Sequence, residues 1–411
     1  MRILHIITQK PFATGSGVYL TGIMTALGQR HDQYLICGLN QGDTVQLPQM
    51  DHPALVDPVL FESQSLPFPV PGMSDVMPYR STLYSKLSEE DADSLVREFF
   101  RKIDKALAEF APDAVILEHL YLLTARTAAW IRRQPTGADL PLIGICHGSE
   151  LRQFENTASW HPEIQAGVQL LDRVISTHAE QAEVITDLLG VLPERIRILG
   201  SGYNDSIFNR IGRLPDLPES PLRIVYTGKL SRAKGVPELL AACAIVHSNH
   251  PLTLTLIGSG ADPLETAQIE ASAASQTYPV TLTGQLRQEE IARIYRTSHL
   301  FVLPSYYEGM PLVVPEALAC GLAVAVTHLP GYAQWLEPFS DRVSLIDRPA
   351  MKRLDEPTES GREQFVQSIA HSIVDLAEGL SSAGESDLAS LSWRGLAQRM
   401  EGVLEELING Q

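Results

Sequence analysis

Short apolar runs alternate with longer helix-period segments along almost the whole chain, and that rhythm admits few folds other than parallel α/β layers. Strands covered on both faces read as near-continuous apolar sequence, and each parallel neighbour requires a crossover, usually a helix. In the first half, strands are predicted at Ile3–Thr8, Tyr34–Gly38, Ala114–Glu118, Leu142–Cys146, Val174–Thr177 and Arg197–Leu199. Helices fit Val18–Gln29, Glu89–Glu109, Leu120–Arg132, Glu163–Leu171 and Ala179–Leu189. The aperiodic segment Pro67–Tyr84, rich in Pro, Gly, Ser and Met, reads as a long functional loop or an insertion beside a cleft.

The pattern restarts after Leu214–Pro221, whose three prolines make a stiff linker. Strands follow at Arg223–Thr227, Leu252–Ile257, Val280–Thr283, Leu300–Leu303, Ala323–Val326 and Val343–Leu345. Helices fit Val236–Ser248, Pro263–Ser275, Gln288–Thr297, Leu312–Cys320 and Glu363–Leu380. A chain of 411 residues is too long for one ordinary core. Two domains are therefore expected, 1–213 and 222–390, with a last helix in 391–411 crossing back to the first. Two such halves would set their strand ends across one crevice, where open α/β folds bind ligands.

A composition of 44% hydrophobic and 20% charged residues is that of an ordinary globular protein. The formal charge of −17 opposes nucleic-acid binding, which needs a basic footprint. It leaves room for peripheral membrane contact through a local basic patch. No stretch approaches the ~20 apolar residues of a membrane helix. The N-terminal apolar run is too short for a signal peptide and leads into a glycine loop, so a cytoplasmic protein is the expectation. Cys37, Cys146, Cys243 and Cys320 lie far apart in apolar contexts and read as core residues. The histidines show no ligand-like spacing, so neither zinc nor another metal is expected.

The strongest chemical signal is Pro304–Gly321, in which a strand empties into a turn carrying Glu308 and a helix carrying Glu316. Both carboxylates can face the space above the strand ends, where an ionised Glu accepts from a vicinal diol such as ribose. The helix start at Leu312 and Val313 supplies free N–H groups to a diphosphate. Alone, the pair is also what a solvated turn and a dipole-favoured helix start would show. A glycine turn, Gly228-Lys229-Leu230-Ser231-Arg232-Ala233-Lys234-Gly235, brings two lysines able to neutralise a departing nucleoside diphosphate, though surface cations on a loop look the same. Gly15 and Gly17 let backbone approach phosphate or sugar. Leu20 stands where a dinucleotide fingerprint wants glycine, and the second strand ends Gly38-Leu39-Asn40 without an acid, which disfavours a dehydrogenase. His147, after a strand and before Gly148, can donate to a sugar hydroxyl or brace the reacting centre, or serve as a structural histidine.

Together these stretches resemble the family 4 retaining glycosyltransferases of GT-B architecture, the superfamily of glycogen synthase and phosphatidylinositol mannosyltransferase. The resemblance covers nearly the whole chain, and Glu308-x7-Glu316 followed by Ala317-Leu318-Ala319-Cys320-Gly321 is its most specific mark. Gly228–Ser231 with Lys234-Gly235, Leu256–Gly260, Val280–Gly284 and Ser201–Asn204 followed by Phe208 support it. It implies an α/β fold of two Rossmann-like doubly wound domains facing across a cleft. It also implies a metal-independent, cofactor-free enzyme whose substrate is a nucleotide sugar, UDP-linked by family habit. The acceptor, a glycan, a lipid or a small molecule, is left open. By the same resemblance Glu316 holds the ribose, Glu308 the donor sugar, and Lys229 and Lys234 the diphosphate with Leu312 and Val313, Met310 also being on the donor side. Gly258, Gly284 and Leu286 border the nucleotide, Gly15 and Gly17 approach from the first domain, and His147 sits beside the sugar.

Three departures stand out. Lys229 occupies the place of a family Arg, keeping charge but losing the bidentate fork, and Arg232 is out of register to replace it. Pro311 removes one N–H from the anion-facing turn, and Ser201 and Asn204 replace a usual Asn and Asp. Two other readings compete: a nucleotide-sugar epimerase of the same architecture, and a non-catalytic nucleotide-sugar-binding scaffold.

Overall fold

The computed structural model describes residues 1–52, 54–74, 77–135, 137–157, 159–213, 221–308, 311–353, 356–380 and 388–410. Met310 and linker residues 214–220 lie outside the described residues. The chain divides into two compact units. Unit 1 is Met1–Gly202 with Leu391–Gln411, and unit 2 is Tyr203–Ser390.

Unit 1 is built on β1 (Arg2–Ile7), β2 (Asp32–Asn40), β3 (Ala114–Glu118), β4 (Leu142–Ile145), β5 (Arg173–Ser176) and β6 (Ile196–Ile198). They pair in parallel in the order β6-β5-β4-β3-β1-β2, and short strands Leu55–Val56 and Val59–Phe61 flank β2. The core strands β1, β3 and β4 are mostly apolar without alternation, His5 and Glu118 apart, because helices cover both faces. One face buries Phe99, Leu122, Ile131 and Ile164, carried by α2 (Glu89–Lys105), α3 (Leu122–Arg132), α4 (Ser149–Asn156), α5 (His161–Val168) and α6 (Ala179–Leu189) or their neighbours. The other face buries Tyr19, Ile23 and Leu27 of α1 (Gly15–Leu27) with Leu396, Met400 and Leu404 of the C-terminal helix, Trp393–Asn409.

That C-terminal helix is fixed by shape and charge. A side chain on Gly22 or Gly202 would overlap the Trp393 indole, so the two glycines make the room it fills. Arg399 donates to the Leu199 carbonyl at 2.8 Å, and Glu406 takes Arg173 at 2.5 Å and Arg197 at 3.1 Å. The Pro67–Tyr84 segment is packed rather than free, since Val70, Met73 and Tyr84 are buried in the unit 1 core. Its only pairing among the described residues joins Pro71–Gly72 to Thr82–Leu83.

Unit 2 has a six-stranded parallel sheet of β7 (Leu222–Thr227), β8 (Leu252–Ile257), β9 (Val280–Gly284), β10 (Leu300–Leu303), β11 (Ala323–Thr327) and β12 (Val343–Ile346). The order is β9-β8-β7-β10-β11-β12, doubly wound, with its reversal between β7 and β10. Helices α7 (Val236–His247), α8 (Pro263–Ala274), α9 (Gln288–Arg296), α10 (Val313–Ala319), α11 (Tyr332–Leu336) and α12 (Glu359–Gly379) complete it. Residues Tyr203–Arg213, placed by sequence with the first domain, pack here instead. Arg296 donates to the carbonyls of Ile207 and Asn209, and Arg213 donates to those of Ser298 and Cys320. These bonds anchor the segment to α9 and to the ends of α9 and α10, which periodicity cannot reveal.

Candidate functional site

In unit 2 the two loops leaving the sheet at its reversal are those after β7 and β10, so they emerge side by side. The β7 loop is pinned at its start, where the Tyr226 hydroxyl donates to the Lys229 carbonyl at 2.6 Å. A single 3₁₀ turn, Arg232–Lys234, follows and closes on Gly235 at φ +68°. A side chain at Gly235 would run into the Pro304 carbonyl at the end of β10. Glycine therefore serves twice here, for the left-handed backbone and for the close approach of the loops. Tyr306 N–H donates to the Ala233 carbonyl at 3.0 Å and ties the two loops together.

The result is that Lys234 Nζ donates to Glu308 Oε1 at 2.6 Å, and the same oxygen accepts from Ser305 Oγ at 2.9 Å. This mostly buried pair holds the Glu308 carboxylate in one direction. Lys229 is exposed, and its ammonium has no partner among the described residues. Arg232 is committed elsewhere, donating to Gln268 Oε1 of α8 at 2.8 Å, so it does not take the place of the absent family Arg.

Glu316 lies within α10, is 6% exposed, and has no hydrogen-bond donor among the described residues. Burial pushes its pKa up to about 8, which favours the neutral acid in the ligand-free site. Spacing alone carries no information on how completely a turn of helix is covered.

The outer strand ends converge on backbone. Gly258, at φ +132°, donates to the Gly284 carbonyl at 2.9 Å, and any side chain on it would overlap the Gly228 carbonyl. Gly284 sits at φ +70° with open space around its Cα, and Leu286 is half-buried before α9. Leu312 caps α10 and Val313 opens it. That helix has only seven residues, so its dipole is slight and the lysines carry most of the positive charge at this sheet end. The structure thus gathers Lys229, Lys234, Gly258, Gly284, Leu286, Glu308, Leu312, Val313 and Glu316 at the carboxyl end of one sheet.

Gly15, Gly17 and His147 belong to unit 1. The space a Gly17 side chain would take is filled by the backbone of Lys10 and Phe12, while Gly15 faces open space. Thr14 caps α1, accepting from Gly17 N–H at 3.2 Å. His147 follows β4, and its Nε2 lies 2.6 Å from Glu118 Oε2 at the end of the adjacent β3. Its backbone N–H donates to Glu150 Oε1 at 2.9 Å, and Glu150 Oε2 lies 3.2 Å from His119 Nδ1. Burial alone would lower the His147 pKa, but Glu118 outweighs it and the pKa is raised. Glu150 is likewise opposed by burial, yet His119 and His147 bring it down to about 2. Glu118, His119 and Glu150 went unrecognised in the sequence. The available signals were an acid and a histidine together at a predicted strand end, and an acid three residues past His147.

A protein-family model described as Glycosyl transferases group 1 matches residues 221–349, most of the sheet that carries these loops. The chain is 25% identical over 272 residues to a D-inositol 3-phosphate glycosyltransferase of Streptosporangium roseum, covering 60% of this chain. It spans 62% of that relative's length. Among solved structures it is similar to a sucrose-phosphate synthase from Thermosynechococcus elongatus, with a TM-score of 0.65, 18% identity and 100% of both chains covered. It is also similar to one described as trehalose-6-phosphate from E. coli bound with UDP-2-fluoro glucose, with a TM-score of 0.62, 14% identity and 99% of both chains covered. The fold is therefore the GT-B class of two Rossmann-like units. No helix among the described residues is long and apolar enough to cross a membrane.

Proposed function

We propose that this chain is a retaining, metal-independent glycosyltransferase using a nucleotide-sugar donor. The observation that carries the reading is a buried, donorless Glu316 carboxyl sharing a sheet end with the Lys234–Glu308 pair and the free Lys229. A buried polar group without a partner is costly, and ribose hydroxyls would satisfy it. Lys229 and Lys234 then hold the diphosphate, Glu308 the sugar, and the Gly284–Leu286 backbone the base. Because the Lys234–Glu308 pair is partly exposed, its loss costs on the order of 1 kcal/mol or less, and the lysine is readily recruited by phosphate.

In this reading the leaving diphosphate gains charge as the glycosidic bond lengthens. The two ammonium groups stabilise that state more than the ground state, which is how they raise the rate. They supply the charge a divalent ion would otherwise bring. Attack from the departing group's own face retains the anomeric configuration. UDP as the carrier is supported by the similar structure bound with UDP-2-fluoro glucose. The acceptor, a glycan, a lipid or a small molecule, is assigned to unit 1, with His147, Gly15 and Gly17 acting at the sugar.

The test is incubation of the full chain with several nucleotide sugars, with and without candidate acceptors and with chelator present. A glycosylated product of unchanged anomeric configuration is expected. A rearranged sugar released without any acceptor would identify an epimerase instead, and binding without turnover would identify a scaffold.

A further inference from the structure

Two carboxylates and two imidazoles alternate at the carboxyl ends of β3 and β4. They come from Glu118, His119, His147 and Glu150, separated by up to 32 residues in sequence and joined by strand adjacency. Glu118 is 4% exposed, and its second oxygen, Oε1, is buried without a partner, so the charge is balanced chiefly by one neighbour. His119 is held at φ +67°, an uncommon backbone for a non-glycine residue, which places its ring 4.7 Å from the His147 ring. Its Nε2 is also buried and unpartnered. Tyr19 of α1 closes the opposite side, edge-on to His147 at 5.2 Å. The groups facing His147 are therefore Tyr19 from α1, Glu118 and His119 from the end of β3, and Glu150 from α4. The Cys146 thiol precedes it in the chain, and Arg399 of the C-terminal helix acts on Tyr19.

We propose that Glu118 is the positioning residue for His147: it accepts the Nε2–H hydrogen bond, fixes the ring plane, and favours the doubly protonated ring, in which Nδ1–H is a donor. Nδ1 has no partner among the described residues, which leaves it for a hydroxyl of the reacting sugar. No bond is made or broken by Glu118 itself. The carboxylate offsets the imidazolium charge, and Glu150 pairs with His119 while anchoring the His147 backbone. This inference rests on the reading that His147 acts at the sugar, but the pairing is measurable without turnover.

The experiment is a histidine-selective ¹⁵N titration of the full chain, with His147 assigned by loss of its signal in His147→Gln. Wild type is compared with Glu118→Gln, which keeps the shape and removes the charge. The expected result is a wild-type midpoint above 6.5 and a fall of about one unit or more in the variant. With active enzyme, kcat of the variant should drop about 10–100-fold at pH 8 with donor KM nearly unchanged. The deficit should shrink towards pH 6, where the ring regains its proton without help. A structural role alone would lower Tm and leave the deficit independent of pH. A wild-type midpoint at or below 6.5, or one unmoved by the substitution, overturns the proposal. The wild-type midpoint decides the matter should Glu118→Gln fail to fold. If His147→Ala turns over normally while the midpoint still moves, the reading of His147 fails and the pairing stands.

Discussion

Replacing Glu316 by Gln should make the ligand-free protein more stable at alkaline pH while removing most of its donor affinity. The group's pKa is raised by burial from 4.5 to about 8. Between those values the folded state holds a proton that the unfolded chain has released, so this group's contribution falls as pH rises through the window. At about 1.36 kcal/mol per unit, the penalty at pH 7 is on the order of 3 kcal/mol and stops growing near pH 8. Gln has nearly the same shape and no proton to bind. Its advantage should be close to nil at pH 5 and largest at pH 8. At ~2–4 °C per kcal/mol for a domain of this size, the unit 2 transition should rise by several degrees at pH 8. Donor binding runs the other way: ribose hydroxyls donating to the group favour its ionised form, whose two oxygens both accept where an amide offers one, and a loss of about 1.5–3 kcal/mol is expected. Calorimetric scans of both proteins from pH 5 to 9, with and without a UDP-sugar, read out each effect. A stability difference flat across pH, or a variant less stable at pH 8, would refute the idea of a buried neutral acid.

Three further perturbations follow from the geometry. Lys234→Ala should lower kcat by about 10²–10³, the usual effect of deleting one charge-stabilising donor, with a smaller change in KM, read by steady-state kinetics. Gly235→Ala forces a side chain into left-handed backbone against the Pro304 carbonyl; a loss of roughly 2–4 kcal/mol and collapse of activity should appear in melting and turnover together. Trp393→Ala empties the space against Gly22 and Gly202 and should cost unit 1 about 2–4 kcal/mol, seen as a selective drop in its melting transition.

The central strands of both units were legible because runs such as residues 114–117 and Leu300–Leu303 are buried on both faces and therefore apolar throughout. Short or capped elements were harder. Helix α1 begins at Gly15 rather than Val18 because Thr14 caps it, and Ser149–Asn156 is too short to show a period. Glu308 and Lys234 were each legible as candidates from motif and residue type, but their 2.6 Å contact was not, because it depends on Gly235 passing close to Pro304. Glu118 was invisible as a functional group because it reads as the polar end of a strand, and only parallel pairing of β3 with β4 brings it to His147. The upward push on the Glu316 pKa was not legible for a related reason: desolvation is a property of the packed fold and not of spacing.

A crystal structure of the chain with a nucleoside diphosphate tests the central claim most directly. It should show the phosphates within hydrogen-bonding distance of Lys234 Nζ, with the ribose diol on the Glu316 carboxyl. Density for the nucleotide away from the β7 and β10 loops, with the Lys234–Glu308 pair undisturbed, would contradict it.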